Sequence, residues 1–173
     1  VEQALDDFML GRILHASERI YREERQKQGV GPGDLLQKFR TIVEDDVFLE
    51  LLDWPKTFPL IWEILGWNVQ HYISHLIYYP PEKDNVHDAK RRGGWHQDGG
   101  RPIPEMERPH PRLSLKVGFW LSDIDKSDSG GIRIVPGSHK RDTFSDRKSA
   151  TDPEGMLQMQ AKAGTAVLFD RRM

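Results

Sequence analysis

His96-Gln97-Asp98 is the stretch of this sequence best equipped for chemistry. In an extended segment, residues two apart point to the same side, so the imidazole of His96 and the carboxylate of Asp98 can converge on one point. A neutral imidazole nitrogen and one carboxylate oxygen suit a divalent first-row metal. A second histidine would complete a facial triad that leaves three positions open on Fe(II). Set against this is a plainer reading, an ordinary hydrogen-bonded His–Asp pair, because three-residue patterns recur by chance.

Other polar residues compete for attention less strongly. His139 sits in a Pro-Gly-Ser-His turn and reads as a turn or wall residue rather than a ligand. His71 and His75 share a face if they lie on a strand, but they are then too far apart to chelate easily, so packing or co-substrate contact suits them better. His15 falls on a helical stretch and His87 and His110 in polar loops, where solvent exposure explains them. Lys116 interrupts an apolar alternation, on the same side as Ser114, Gly118 and Trp120. If that side is an interior, Lys116 can meet a carboxylate of a substrate or co-substrate; if it is the outside, the ammonium is simply solvated. Arg101 can bind an anionic substrate group, with an exposed loop arginine as the default. Trp95 and Trp120 can line a pocket, although tryptophan is more often core.

The elements that must position these groups change character along the chain. Over residues 1–28, Leu5, Phe8, Met9, Ile13, Ala16 and Ile20 recur at three- and four-residue steps, which predicts an amphipathic helix. Gly29-Val30-Gly31-Pro32-Gly33 ends it in a loop. Short helices with apolar packing faces are expected at 45–52 and 58–65, the second with Pro59 in its first turn and Gly66 at its C-terminal cap. Residues 69–79 are rich in β-branched and aromatic side chains and stop at Pro80-Pro81, as a strand does. The charged stretch 82–94 reads as an exposed loop, with 82–92 a candidate lid. Alternation over 113–121, apolar runs at 132–135, 157–161 and 165–169, and turns at Pro136-Gly137 and 162–164 predict four further strands. Helices followed by short strands point to a mainly β barrel or sandwich with helical support.

Size and charge set outer limits. A chain of 173 residues fits one domain, with helical support in 1–66 and strands in 67–173. A net charge of -2 with interspersed acids and bases argues against a nucleic-acid partner. With no cysteine, disulfides and thiolate sites are excluded, and a cytoplasmic setting is the expectation. No apolar run approaches the ~20 residues of a membrane-spanning helix. Oligomeric state leaves no mark on the sequence.

Four separated blocks resemble, in order and spacing, the phytanoyl-CoA dioxygenase family. They are Gly93-Gly94-Trp95-His96-Gln97-Asp98-Gly99-Gly100, residues 114–123, Gly130-Gly131-Ile132-Arg133-Ile134-Val135-Pro136-Gly137-Ser138-His139-Lys140, and Gly164-Thr165-Ala166-Val167-Leu168-Phe169-Asp170. The resemblance runs from about Val69 to Met173 and implies a double-stranded β-helix (jelly-roll, cupin-like) fold. It implies an oxygenase that binds one non-haem Fe(II) through His96, Asp98 and a distal histidine, with 2-oxoglutarate as co-substrate and dioxygen as oxidant. Ser74, Lys116 and Trp120 become candidate co-substrate contacts, and Gln97 and Arg101 candidate substrate contacts. On the strand at 69–79, which of Tyr72, Ser74 and Leu76 points inward stays open. Related halogenases replace the ligand carboxylate with a small residue, so Asp98 implies hydroxylation of a small molecule rather than halogenation. In the family the distal histidine and a co-substrate-binding arginine follow the block that here reads Leu168-Phe169-Asp170-Arg171-Arg172, and the expectation is therefore a chain clipped from something longer. The competing expectations are a catalytically inactive jelly-roll binding protein without the complete triad, and a cupin-type metalloenzyme of another class, such as an isomerase, which would need further histidines converging on His96 that the sequence does not offer at suitable spacing.

Overall fold

A computed structural model describes residues 1–31, 34–79, 95–98, 114–125, 131–140 and 152–173. Pro80-Pro81, the candidate lid at 82–92, His87, Arg101, His110 and Leu113 lie outside the described residues.

Helix α1 spans Asp7–Gln28, later than the periodicity predicts. Asp6 sets its start, accepting a hydrogen bond from the Met9 N–H at 2.8 Å, and Asp7 adds negative charge where the helix dipole is positive. Gly29 ends the helix in the left-handed region (φ 64°), with Arg25 and Lys27 in the last turn. Met9, Ile13, Ala16 and Ile20 form its buried stripe. Phe8, counted in that stripe from sequence, is exposed, because the first turn rotates it off the line through Met9 and Ile13. Residues 1–5 are not helical. The Val1 amino group donates to the Ala166 carbonyl (2.8 Å), the Ala166 N–H donates to the Val1 carbonyl (2.9 Å), and the Leu5 N–H donates to the Gly164 carbonyl (2.9 Å). Ala4 and Leu5 are buried by this strap.

The stretch at 45–52 forms only a short 3-10 turn, Asp46–Phe48, capped by Asp45, which accepts from the Val47 N–H. Another 3-10 turn precedes it at Thr41–Val43. Helix α2, Phe58–Leu65, forms as the sequence predicts, with Pro59 in its first turn and the Gly66 N–H donating to Trp62 O at 2.7 Å. None of its residues is buried, so its apolar face does not enter the core.

Strand β1, Leu36–Phe39, was not expected from sequence: Leu36-Gln37-Lys38-Phe39 carries neither a β-branched residue nor a clear period. Tertiary pairing makes it a strand. It runs antiparallel to β2, His75–Tyr78, with Phe39 opposite His75 and Leu36 opposite Tyr78. The strand predicted over 69–79 is therefore confined to its last third. Strand β3, Leu115–Phe119, pairs antiparallel with β6, Ala166–Asp170, through five residue pairs. The two-residue strands β4, Arg133–Ile134, and β5, Leu157–Gln158, also pair antiparallel, and an isolated bridge joins Ile124 to Ala161. Gly131 is required here, since a Cβ would lie 2.5 Å from Met159 O and 2.7 Å from Ile124 Cγ2. Among the described residues the strands form three antiparallel pairs and do not close a barrel. No described helix is long and apolar enough to cross a membrane.

The core gathers Leu5, Met9, Ile13, Ala16, Ile20, Val47, Phe48 and Leu76, with Phe119 and Leu121 packed on it. Leu76 joins β2 to the α1 stripe, and Phe119 brings in β3. Burying each large aliphatic side chain contributes about 1.5–3 kcal/mol, so α1 is held by its stripe rather than by helix propensity. Beside the apolar core, Glu24 ties α1 to β1: it accepts from Lys38 (2.9 Å), Gln28 (2.9 Å) and Lys27 (3.2 Å). Lys38 first, then Gln28 and Lys27, hold the Glu24 carboxyl down to about 2, with burial opposing them.

A folded-state value below the ordinary 4.5 means that Glu24 stabilises the fold fully above that pH, and that this contribution fades as pH falls toward about 2. Urea unfolding of wild type and Glu24→Gln is expected to show the variant less stable near neutrality, with the gap closing in acid. A gap independent of pH would contradict the ionic tie.

Candidate metal centre

Trp95 to Asp98 is a short segment without regular structure, and its position is set from three directions. The Asp98 N–H donates to Arg171 O at 3.0 Å, laying the segment beside the exit of β6. Gln97 Nε2 donates to Arg172 O and to Ser138 O, each at 2.9 Å, bridging the ends of β6 and β4. Trp95 Nε1 donates to Asp152 Oδ1 at 3.2 Å, and Arg133 of β4 grips both oxygens of Asp152 at 3.1 Å. Gln97 was a candidate for substrate contact; its amide nitrogen instead fastens the triplet to two backbone carbonyls.

With the segment fastened, His96 and Asp98 turn to one side as the two-residue spacing predicts. His96 Nε2 lies 3.3 Å from Asp98 Oδ1. Bonds of about 2.1 Å meeting at a right angle put two donor atoms roughly 3.0 Å apart, so one cation, a proton or a metal ion, can be shared by this nitrogen and this oxygen. The donor set therefore fits a divalent first-row metal in chemistry and in spacing. Among the described residues no group of three or more His, Asp or Glu side chains gathers, so His96 and Asp98 stand there as a pair. Both side chains are a little over one-third exposed (38% and 37%), open enough for a ligand to reach them.

Lys116 settles the question of which way its strand face looks: Nζ pairs with Asp98 Oδ2. On β3 the residues on Lys116's side are Gly118 and Trp120, and the β6 residues opposite Lys116 and Gly118 are Phe169 and Val167. The other face carries Phe119 into the core. Gly118 lets the Trp120 ring fold back over the strand, since a Cβ there would lie 2.8 Å from Cζ3. A charged floor at Lys116 thus adjoins an apolar wall of Trp120 and Phe169. The Asp98 carboxyl is held well below the usual carboxylate range, first by His96 and then by Lys116, with burial pulling the other way.

On β2 the strand period matters by a single residue. Ser74, proposed from sequence beside the co-substrate, accepts the Ile42 N–H on its Oγ (3.3 Å) and the Arg40 N–H on its carbonyl (2.7 Å), so it serves the chain turn after β1. Leu76 faces the core. His75, between them, is exposed and lies edge-on to the Phe39 ring (centroids 5.3 Å); partial desolvation first, then Lys116, lower its pKa, while Asp98 raises it. The signal for His75 was the parity of a strand whose inner face the sequence left open. Tyr72 and His71 are exposed. His139 lies in the 3-10 turn Ser138–Lys140, and its buried Nδ1 has no hydrogen-bond partner among the described residues.

An anionic carboxylate and an imidazole thus meet on one side of an antiparallel framework. A family model for phytanoyl-CoA dioxygenase matches residues 23–173. The chain belongs to the phytanoyl-CoA dioxygenase family, one of cupin-like fold, and this membership points to oxygenase chemistry of the iron and 2-oxoglutarate type. No curated protein and no solved structure matches the chain.

If Gln97 is the clamp that seats the triplet, Gln97→Ala leaves the Arg172 and Ser138 carbonyls without their donor. A loss of about 1–3 kcal/mol is expected in denaturant unfolding. A variant as stable as wild type would show that the bridge contributes nothing.

Proposed function

We propose that this chain is a non-haem Fe(II)- and 2-oxoglutarate-dependent dioxygenase that hydroxylates a small molecule, with His96 and Asp98 as metal ligands on a jelly-roll framework. The single observation that carries the reading is the convergence of His96 Nε2 and Asp98 Oδ1 at 3.3 Å in a chain of this family. Bound iron with 2-oxoglutarate supplies the oxidising chemistry, in which one oxygen atom of O2 enters the substrate and the other enters succinate as carbon dioxide leaves.

The residues of the chain prepare the place for it. Because its pKa is depressed, Asp98 stays ionised at neutral pH and needs no proton removed before it binds a cation. A carboxylate at this position fills a coordination site that a halide would otherwise take, which favours hydroxylation. Trp120 shares the strand face of Lys116, and Phe169 pairs with Lys116 across the sheet, so apolar surface adjoins the cation that holds Asp98. Trp120 is thereby the best-placed candidate for contact with the co-substrate, and Arg101 remains the proposed contact for an anionic group on the substrate. The Ser74 and Gln97 polar atoms already bonded to backbone support the frame instead.

The test needs no knowledge of the substrate. Adding Fe(II) and 2-oxoglutarate to the intact protein should release succinate, and chelation of the metal should stop it. His96→Ala and Asp98→Ala are expected to reduce release to background while circular dichroism stays unchanged. A folded wild-type protein that neither retains iron nor turns over 2-oxoglutarate would instead favour an inactive jelly-roll binding protein.

A further inference from the structure

Asp98 is held at both oxygens by different elements. Oδ1 faces His96 Nε2, while Oδ2 is taken by the ammonium of Lys116, the second residue of β3. The Lys116 side chain is 38% exposed and shares its strand face with Ser114, Gly118 and Trp120, with Val167 and Phe169 opposite, so its stem lies along mixed surface while its ammonium reaches Asp98. What it does there is set by its partner. A carboxylate free to rotate can offer a metal both oxygens and occupy two positions, whereas one whose second oxygen is held by a fixed donor offers only the first. Metal-ligating carboxylates are commonly oriented by such outer hydrogen bonds, and losing the partner weakens metal binding.

From this geometry we infer that Lys116 is a positioning residue: it holds Asp98 Oδ2 and so makes Asp98 a one-oxygen metal ligand, keeping a coordination position open beside it. The inference deepens the metal reading above and rests on it. It also gives Lys116 a different task from direct contact with the co-substrate. A cation beside a metal site also repels the metal, so the direction of the effect is diagnostic. If orientation dominates, removing the ammonium weakens metal binding; if Lys116 merely neutralises Asp98 when no metal is bound, removing it strengthens metal binding.

Cobalt(II) titration of the intact protein, followed by visible absorption, reads both affinity and coordination. Lys116→Met is expected to lower cobalt affinity by about 10- to 100-fold and to alter the d–d bands as the coordination changes. Lys116→Arg, which keeps a donor, is expected to restore most of the affinity. If Lys116→Met lowers the thermal midpoint sharply, Lys116→Ala, which also lacks a donor, carries the same comparison. Unchanged or tighter cobalt binding with unchanged bands, or a loss confined to 2-oxoglutarate affinity, overturns the role assigned to Lys116. Failure of wild-type protein to bind cobalt at all overturns the metal centre, and the inference with it, and is told apart from the other outcomes by the wild-type titration alone.

Discussion

A carboxylate at position 98 and an imidazole at position 96 can share one cation only if the backbone between them stays extended and its flanks do not drift. Here that constraint is met by hydrogen bonds that have no chemistry of their own. Asp98 N–H is tied to Arg171 O, and the Gln97 amide reaches both Arg172 O and Ser138 O. These bonds fasten the residue between His96 and Asp98, whose side chains meet at 3.3 Å. The rest of the described fold can be read as what holds those acceptor carbonyls still.

That support begins far away in sequence. The strap of residues 1–5 is bonded to Gly164 and Ala166, at the start of the strand whose far end receives the triplet. Gly164 has φ 85° and a Cβ there would lie 2.9 Å from Leu5 O, so glycine permits both the turn into β6 and the close approach of the strap. Helix α1 then packs Met9, Ile13 and Ile20 against Leu76 and Phe119, bringing β2 and β3 onto one core. The faces turned away from this core carry His75 on β2 and Lys116 on β3. Apolar packing on one side therefore decides which polar groups meet on the other.

Charge completes the arrangement. Asp98 has a cationic or hydrogen-bonding partner at each oxygen, which keeps it ionised despite partial burial. Desolvation first and Lys116 second lower the pKa of His75, against Asp98, so that this imidazole favours its neutral form.

Much of this was legible in the residues alone, and the reasons are local. The His-x-Asp spacing, the 3.6-residue stripe of α1, the Pro59 and Gly66 signals of α2 and the alternation of β3 each express a short-range preference of backbone or side chain. Strand β1 was not legible, since Leu36-Gln37-Lys38-Phe39 becomes a strand only by pairing with β2. Nor was the choice between Ser74 and His75, because one residue of register reverses a strand's faces and only the core packing of Leu76 fixes that register. For Lys116 the sequence left interior and exterior equally open; the partner that decides between them, Asp98, is eighteen residues away and is brought beside β3 by the chain's tertiary contacts. The sequence by itself thus determined which groups are chemically able to hold a metal, since that depends on residue type and short-range geometry. Which other groups surround them was decided by the tertiary structure, because it depends on contacts between segments that no local preference specifies.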